Sequence, residues 1–156
     1  MWEHKIDLSG WNPQVKCLST DDDIPLSQCE QWLAPKSWKQ GSYDAVFIKS
    51  VELSASDADI KAKNAGFTRK MLVRFVQLAS SMTYPLHVGF FEDFLIRASH
   101  NAWVNAVGVC FVVPLDNMCE FQPPINARDF KREASAAFKA DLTVTVSTQV
   151  LGLRCN

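Results

Sequence analysis

The sequence predicts an α+β fold: a single domain of 156 residues, with a mixed or antiparallel curved sheet and helices packed on one face. Three observations carry this. The run from Ala102 to Leu115 has no charge and is dense in valine. Apolar and polar residues alternate from Leu142 to Leu151. Apolar residues at helical spacing recur in separate segments, which places helices beside the sheet rather than within it.

The valine-rich run organises the rest. Branching at Cβ restricts χ1, which disfavours helix and suits a pleated surface. Taken by twos, one face is Trp103, Asn105, Val107, Val109, Phe111, Val113 and Leu115, and the other is Ala102, Val104, Ala106, Gly108, Cys110, Val112 and Pro114. The first is bulky and the second mostly small, so both can be buried. The run is shorter than the ~18 apolar residues that suggest a membrane span. Pro114 lacks an N–H and ends the central pairing.

Composition narrows the function classes. The formal net charge of -1 removes any global electrostatic case for nucleic acid or an anionic membrane. The five cysteines are widely spaced and contain no C-x-x-C, which argues against a disulfide framework and against zinc. Reduced thiols in a cytoplasmic protein are expected. The N-terminal residues lack the apolar stretch of a signal peptide.

Along the chain, residues 2–8 alternate as a short edge strand, and Gly10 to Pro13 reads as a turn. Asp21-Asp22-Asp23 lacks the spaced ligands of a calcium loop and reads as solvated. Ser27 and Glu30 suggest a capped helix to Leu33, stopped by Pro35. Trp38 reads as a lid on the core. Tyr43 to Leu53 reads as a strand in which Lys49 interrupts an apolar face; a lysine snorkelling at the sheet margin is favoured over a catalytic amine. Ser56 and Asp59 cap a short helix that Asn64-Ala65-Gly66 closes.

A helix is expected over 67–82, with Phe67, Met71, Leu72, Phe75, Val76, Leu78, Ala79 and Met82 as its apolar stripe. Another is expected over 85–99, with a strand at Leu86–Phe91 as the rival. After the central strand, Asp116-Asn117 turns and Met118 to Phe121 returns as a short partner strand. Asn126 and Asp129 start a helix to about Ala140, giving a third helix near 127–140. Strands are thus expected near 43–53, 102–114 and 142–151, with residues 152–156 fraying.

No P-loop, dinucleotide-binding, zinc-protease or nucleophile-elbow motif is present. The three histidines lack i,i+3 or i,i+4 spacing, so neither a metal nor a cofactor is expected. The most site-like neighbourhood is Glu92, His100, Trp103 and Asn105, with Asp93 beside it: carboxylates, an imidazole and polar or aromatic groups that would suit a small apolar ligand in a cavity. Arg69, Lys70 and Arg74 form the densest basic cluster, a nucleic-acid-binding candidate for which a solvated helix face is the favoured explanation. By elimination, the leading expectation is a non-enzymatic cytoplasmic binding or accessory protein. It would act through a protein surface, with a protein partner or self-association as a homo-oligomer. A ligand pocket or modest enzyme near His100 and Asn105 comes second, and nucleic-acid binding third.

Overall fold

A computed structural model describes residues 15–18, 24, 30–35, 43–78, 88–100, 102–123 and 145–153. It contains strands β1 (Val15–Leu18), β2 (Glu30–Pro35) and β3 (Ala45–Glu52), helix α1 (Asp57–Asn64), strand β4 (Arg69–Leu78), helix α2 (Val88–Ser99), and strands β5 (Trp103–Pro114) and β6 (Thr145–Leu153). The fold is α+β with a mixed sheet. The six strands lie side by side in chain order. β3 pairs antiparallel with β2 and with β4, whereas β1–β2, β4–β5 and β5–β6 are parallel.

Parallel neighbours need a crossover, and the crossovers decide where the core forms. α2 joins β4 to β5 and lays Phe91, Phe94, Leu95 and Ala98 on one face of the sheet. Against them stand Leu33, Val46, Ile48, Met71, Val73, Phe75, Val104, Val107, Val109, Phe111 and Val113, all buried. Aromatic rings knit this layer. Phe75 lies 4.4 Å from Phe91 and 5.5 Å from Phe94 between centroids, and Tyr43 packs 5.1 Å from Phe75. The step from β5 to β6 begins on the same side, because Phe121 joins this core and rests 5.6 Å from Phe111. Two right-handed crossovers stepping in one direction belong on one side of a sheet.

β5 is shielded on both faces, as its composition requires: Trp103, Val104, Val107, Gly108, Val109, Cys110, Phe111 and Val113 are all buried. Its two faces are not the ones strict alternation gives. Met71 pairs with Val104 and Leu72 with Ala106, so Asn105 is an extra residue in a β-bulge. A bulge shifts the parity of everything beyond it. Val104 therefore shares the α2 side with Val107, Val109, Phe111 and Val113, while Trp103 stands in register with Lys70 on the reverse face.

The segment expected as a helix over 67–82 is instead β4. Its buried residues Met71, Val73, Phe75 and Gln77 alternate strictly. Val73 decides it, because a helical stripe leaves that valine on the polar side whereas the strand buries it completely. Apolar residues at both i+3 and i+4 also fit a strand apolar on two faces. Pairing along β3 and β5 then overrides local propensity. The helix expected from Ser27 to Leu33 is likewise replaced by β2, which sends Trp32 and Leu33 to opposite faces. The return strand expected at Met118–Phe121 is a chain of tight turns after a 3-10 turn at Leu115–Asn117, in which Asn117 O accepts from Glu120 N at 3.2 Å and Phe121 N at 2.9 Å.

Other elements match their sequence signals. Ser56 caps α1 by accepting the N–H of Asp59 at 3.3 Å. Gly66, at φ 96°, lets the chain reverse, and Phe67 N–H reaches Ala62 O at 3.1 Å. α2, β3, β5 and β6 lie within a few residues of their expected bounds. The Leu115–Asn117 turn folds back onto β6. A Cβ at Gly152 would stand 2.7 Å from Leu115 Cδ1 and 2.9 Å from Met118 Sδ, so glycine there seats the turn. Of residues 152–156, expected to fray, Gly152 and Leu153 instead continue β6. The readings at residues 2–8, 10–13, 21–23, Trp38, 127–140 and 154–156 lie outside the described residues.

Phe75 stands between the sheet and α2 with no exposed surface. Phe75→Ala is expected to destabilise the fold by about 3–5 kcal/mol in urea titration, while Leu78→Ala, on an exposed side chain, changes it by about 0.5 kcal/mol or less.

Candidate functional site

Because α2 and the start of the β5–β6 crossover occupy one face, the reverse face of the sheet becomes the surface to consider. Cross-strand register assembles it in rows. Trp32, Phe47, Arg74, Gly108 and Ser147 form one row across five strands. Ala45, Val76, Cys110 and Gln149 form the next, and Leu78, Val112 and Leu151 the one beyond. On the other side of the first row run Lys49, Leu72, Ala106 and Thr145. Trp32, Phe47, Leu72, Val76, Val112 and Leu151 are half-buried, and Leu78 is 56% exposed. The face is buried at its centre, at Gly108 and Cys110 of β5, and partly open to water at the flanking apolar side chains. Trp32 and Phe47 stack at 5.1 Å, which fixes an aromatic pair near one end.

Arg74 sits in the middle of this surface. A Cβ at Gly108 would meet Arg74 Cγ at an ordinary 3.7 Å and Ser147 Oγ at a tighter 3.3 Å. Arg74 is exposed. Among the described residues it has no carboxylate partner. Next to it, burial pushes the Cys110 thiol up, with Arg74 opposing weakly, so that thiol is protonated and inert.

The basic cluster read from the sequence does not survive as one patch, since a strand separates alternate residues. Arg69 lies on the parity of Met71 and is tied to Ser50, with Nε 2.8 Å from the hydroxyl and Nη2 3.2 Å from the carbonyl. Lys70 points to the reverse face and pairs with Asp59 at 3.0 Å. Of the three, only Arg74 is exposed, on the sheet face that also carries Lys49. Asp59 is buried and accepts from Ser54 N at 2.6 Å and Ser54 Oγ at 2.7 Å as well as from Lys70. The Ser54 backbone and hydroxyl bonds, then Lys70, hold its carboxyl far below the usual carboxylate range. Lys49 is exposed and reaches Glu30 at 3.4 Å, a surface pair worth little.

The other predicted neighbourhood is spread along the α2–β5 corner. Glu92 lies on α2, with its side chain outside the described set, and Asp93 is exposed. His100 is exposed in the turn that follows. Trp103 is buried on the reverse face, and its Nε1 meets no acceptor among the described residues. Asn105 is the half-buried bulge residue. Among the described residues, no group of three His, Cys, Asp or Glu comes together as a metal site, and no helix is long and apolar enough to cross a membrane.

Sequence reasoning missed Trp32, Leu72, Val76 and Leu78 as surface residues because it assigned them to buried helix stripes. The signal that finds them is apolar alternation on both parities of one segment. Comparison of the chain with protein-family models, with curated proteins and with solved structures found no match.

Two measurements check this chemistry. Because Asp59 has a depressed carboxyl in the fold, it stabilises above the ordinary value of 3.8 and that stabilisation fades as pH falls below it. Asp59→Asn is therefore expected to lower the Tm at neutral pH, with the gap to the parent narrowing in acid; a gap independent of pH contradicts the assignment. In native alkylation followed by peptide mass mapping, exposed Cys119 is expected to react and buried Cys110 only after unfolding.

Proposed function

We propose that the chain is a non-enzymatic binding or accessory protein that recognises a protein partner through the reverse face of its sheet. The observation that carries this reading is the half-exposed apolar surface formed by Trp32, Phe47, Leu72, Val76, Leu78, Val112 and Leu151 around a lone arginine. Tryptophan and arginine are the residues most enriched at interface hot spots, and contiguous apolar surface rimmed by polar groups is the usual mark of a docking site. Lys49, Ser147 and Gln149, all exposed, supply such a rim. A reducing, cytoplasmic setting belongs to the same reading, supported by the unpaired buried thiol of Cys110.

The test uses a photo-crosslinking residue at Val76 in the native cellular background. A discrete protein adduct is expected there and is absent when the crosslinker stands at Ile60, exposed on α1. Leu78→Glu with Leu151→Glu is expected to cut the adduct at least tenfold while leaving the far-UV spectrum unchanged. Identical adducts from Val76 and Ile60, indifferent to the glutamates, overturn the reading.

A further inference from the structure

Among the described residues, three cations stand on the reverse face of the strands: Lys49, Lys70 and Arg74. Two of them are already neutralised. Lys49 reaches Glu30 at 3.4 Å, and Lys70 reaches the buried Asp59 at 3.0 Å. Arg74 meets no carboxylate among the described residues. It is exposed, and its surroundings in the sheet are uncharged: half-buried Leu72 and Val76 on the same side of β4, Phe47 opposite on β3 and Gly108 opposite on β5. The face therefore holds one uncompensated positive charge amid apolar surface.

A protein that covers this face takes water from the guanidinium. A charge stripped of water and given no counter-charge is strongly destabilising, so a wholly apolar partner surface is rejected at Arg74. The guanidinium fork matches a carboxylate through two parallel N–H···O bonds, and one carboxylate balances one such charge. We infer that the partner presents a single aspartate or glutamate among apolar side chains and pairs it with Arg74, an assignment that rests on the docking reading of this face.

Other occupants fit the charge less well. Nucleic acid is held by several cations on its phosphates, whereas Lys49 and Lys70 are already paired. A phosphorylated side chain brings close to two negative charges against one cation. A second copy docked by the same face would bring a second uncompensated arginine and no spare carboxylate from that face.

The test places a photo-crosslinking residue at Val76, on the same side of β4 as Arg74, in the full chain and its native cellular background. The adduct is compared among the parent, Arg74→Lys, Arg74→Gln and Arg74→Glu. Arg74 is exposed, so all four are expected to share one Tm. Arg74→Gln is expected to cut the adduct by about tenfold or more and Arg74→Glu further, with Arg74→Lys, which keeps the charge but not the fork, in between. The crosslinked partner peptide, sequenced by mass spectrometry, is expected to contain an aspartate or glutamate. Replacing that residue by lysine is expected to restore the adduct with Arg74→Glu, a recovery that a folding defect in either chain would not allow. An adduct indifferent to Arg74→Glu overturns the inference and leaves the docking reading standing, as does a charge swap that restores nothing. An adduct to nucleic acid or to a second copy of the chain overturns it as well. Identical adducts from Val76 and Ile60 remove the docking reading itself, and this assignment with it.

Discussion

Parallel strands cannot be joined by a tight turn, and this constraint shapes the molecule. β4, β5 and β6 run the same way, so each join must leave the sheet, travel over a face and return. α2 makes the first journey and supplies four buried side chains to the core. The second journey starts on the same side, with Phe121 against Phe111. The α2 side thus gains its main cover from connectivity, while on the reverse face Trp103, Gly108 and Cys110 of β5 are buried and the described side chains of the flanking strands are half-buried or exposed.

Within that frame one inserted residue carries much of the local chemistry. Asn105 has no opposite number on β4, and the parity of β5 changes across it. Were Asn105 a regular strand residue, Trp103 would share a face with Val107 and crowd the α2 layer. Because it bulges out of the pairing, the indole stands beside Lys70, and the small residues Ala106, Gly108 and Cys110 fall on the reverse face. Gly108 then stands in one row with Arg74 and Ser147. A polar residue in a valine-rich strand is a local inconsistency, and here it marks the point where the pleat is reset.

Much of this was legible in the sequence and some was not. The valine run of β5, the alternation of β6, the Ser56 cap and the α2 stripe are strong local signals, and the elements lie where those signals put them. β4 and β2 were misread for one shared reason. A strand that is apolar on both faces has no clean period of two, and its residues also satisfy a helical stripe. Only pairing resolves the ambiguity, and pairing is non-local: β4 is held by β3 on one side and β5 on the other. The candidate residues suffered in proportion. Arg69, Lys70 and Arg74 form one patch only on a helix, and β4 divides them between two faces. The bulge at Asn105 has no reliable single-sequence signal, since it exists only relative to a partner strand.

The order of β5 and β6 also bears on how the chain is made. β5 is synthesised before the strand that flanks its outer margin, and it is the most apolar strand of the sheet. Loop closure over the intervening residues must be met before that margin is covered, which makes the step slow compared with the β3–β4 pairing. During that interval the nascent chain holds a finished, water-averse ribbon with one side bare. Transiently bare apolar strands of this kind are the surfaces that promote aggregation during synthesis.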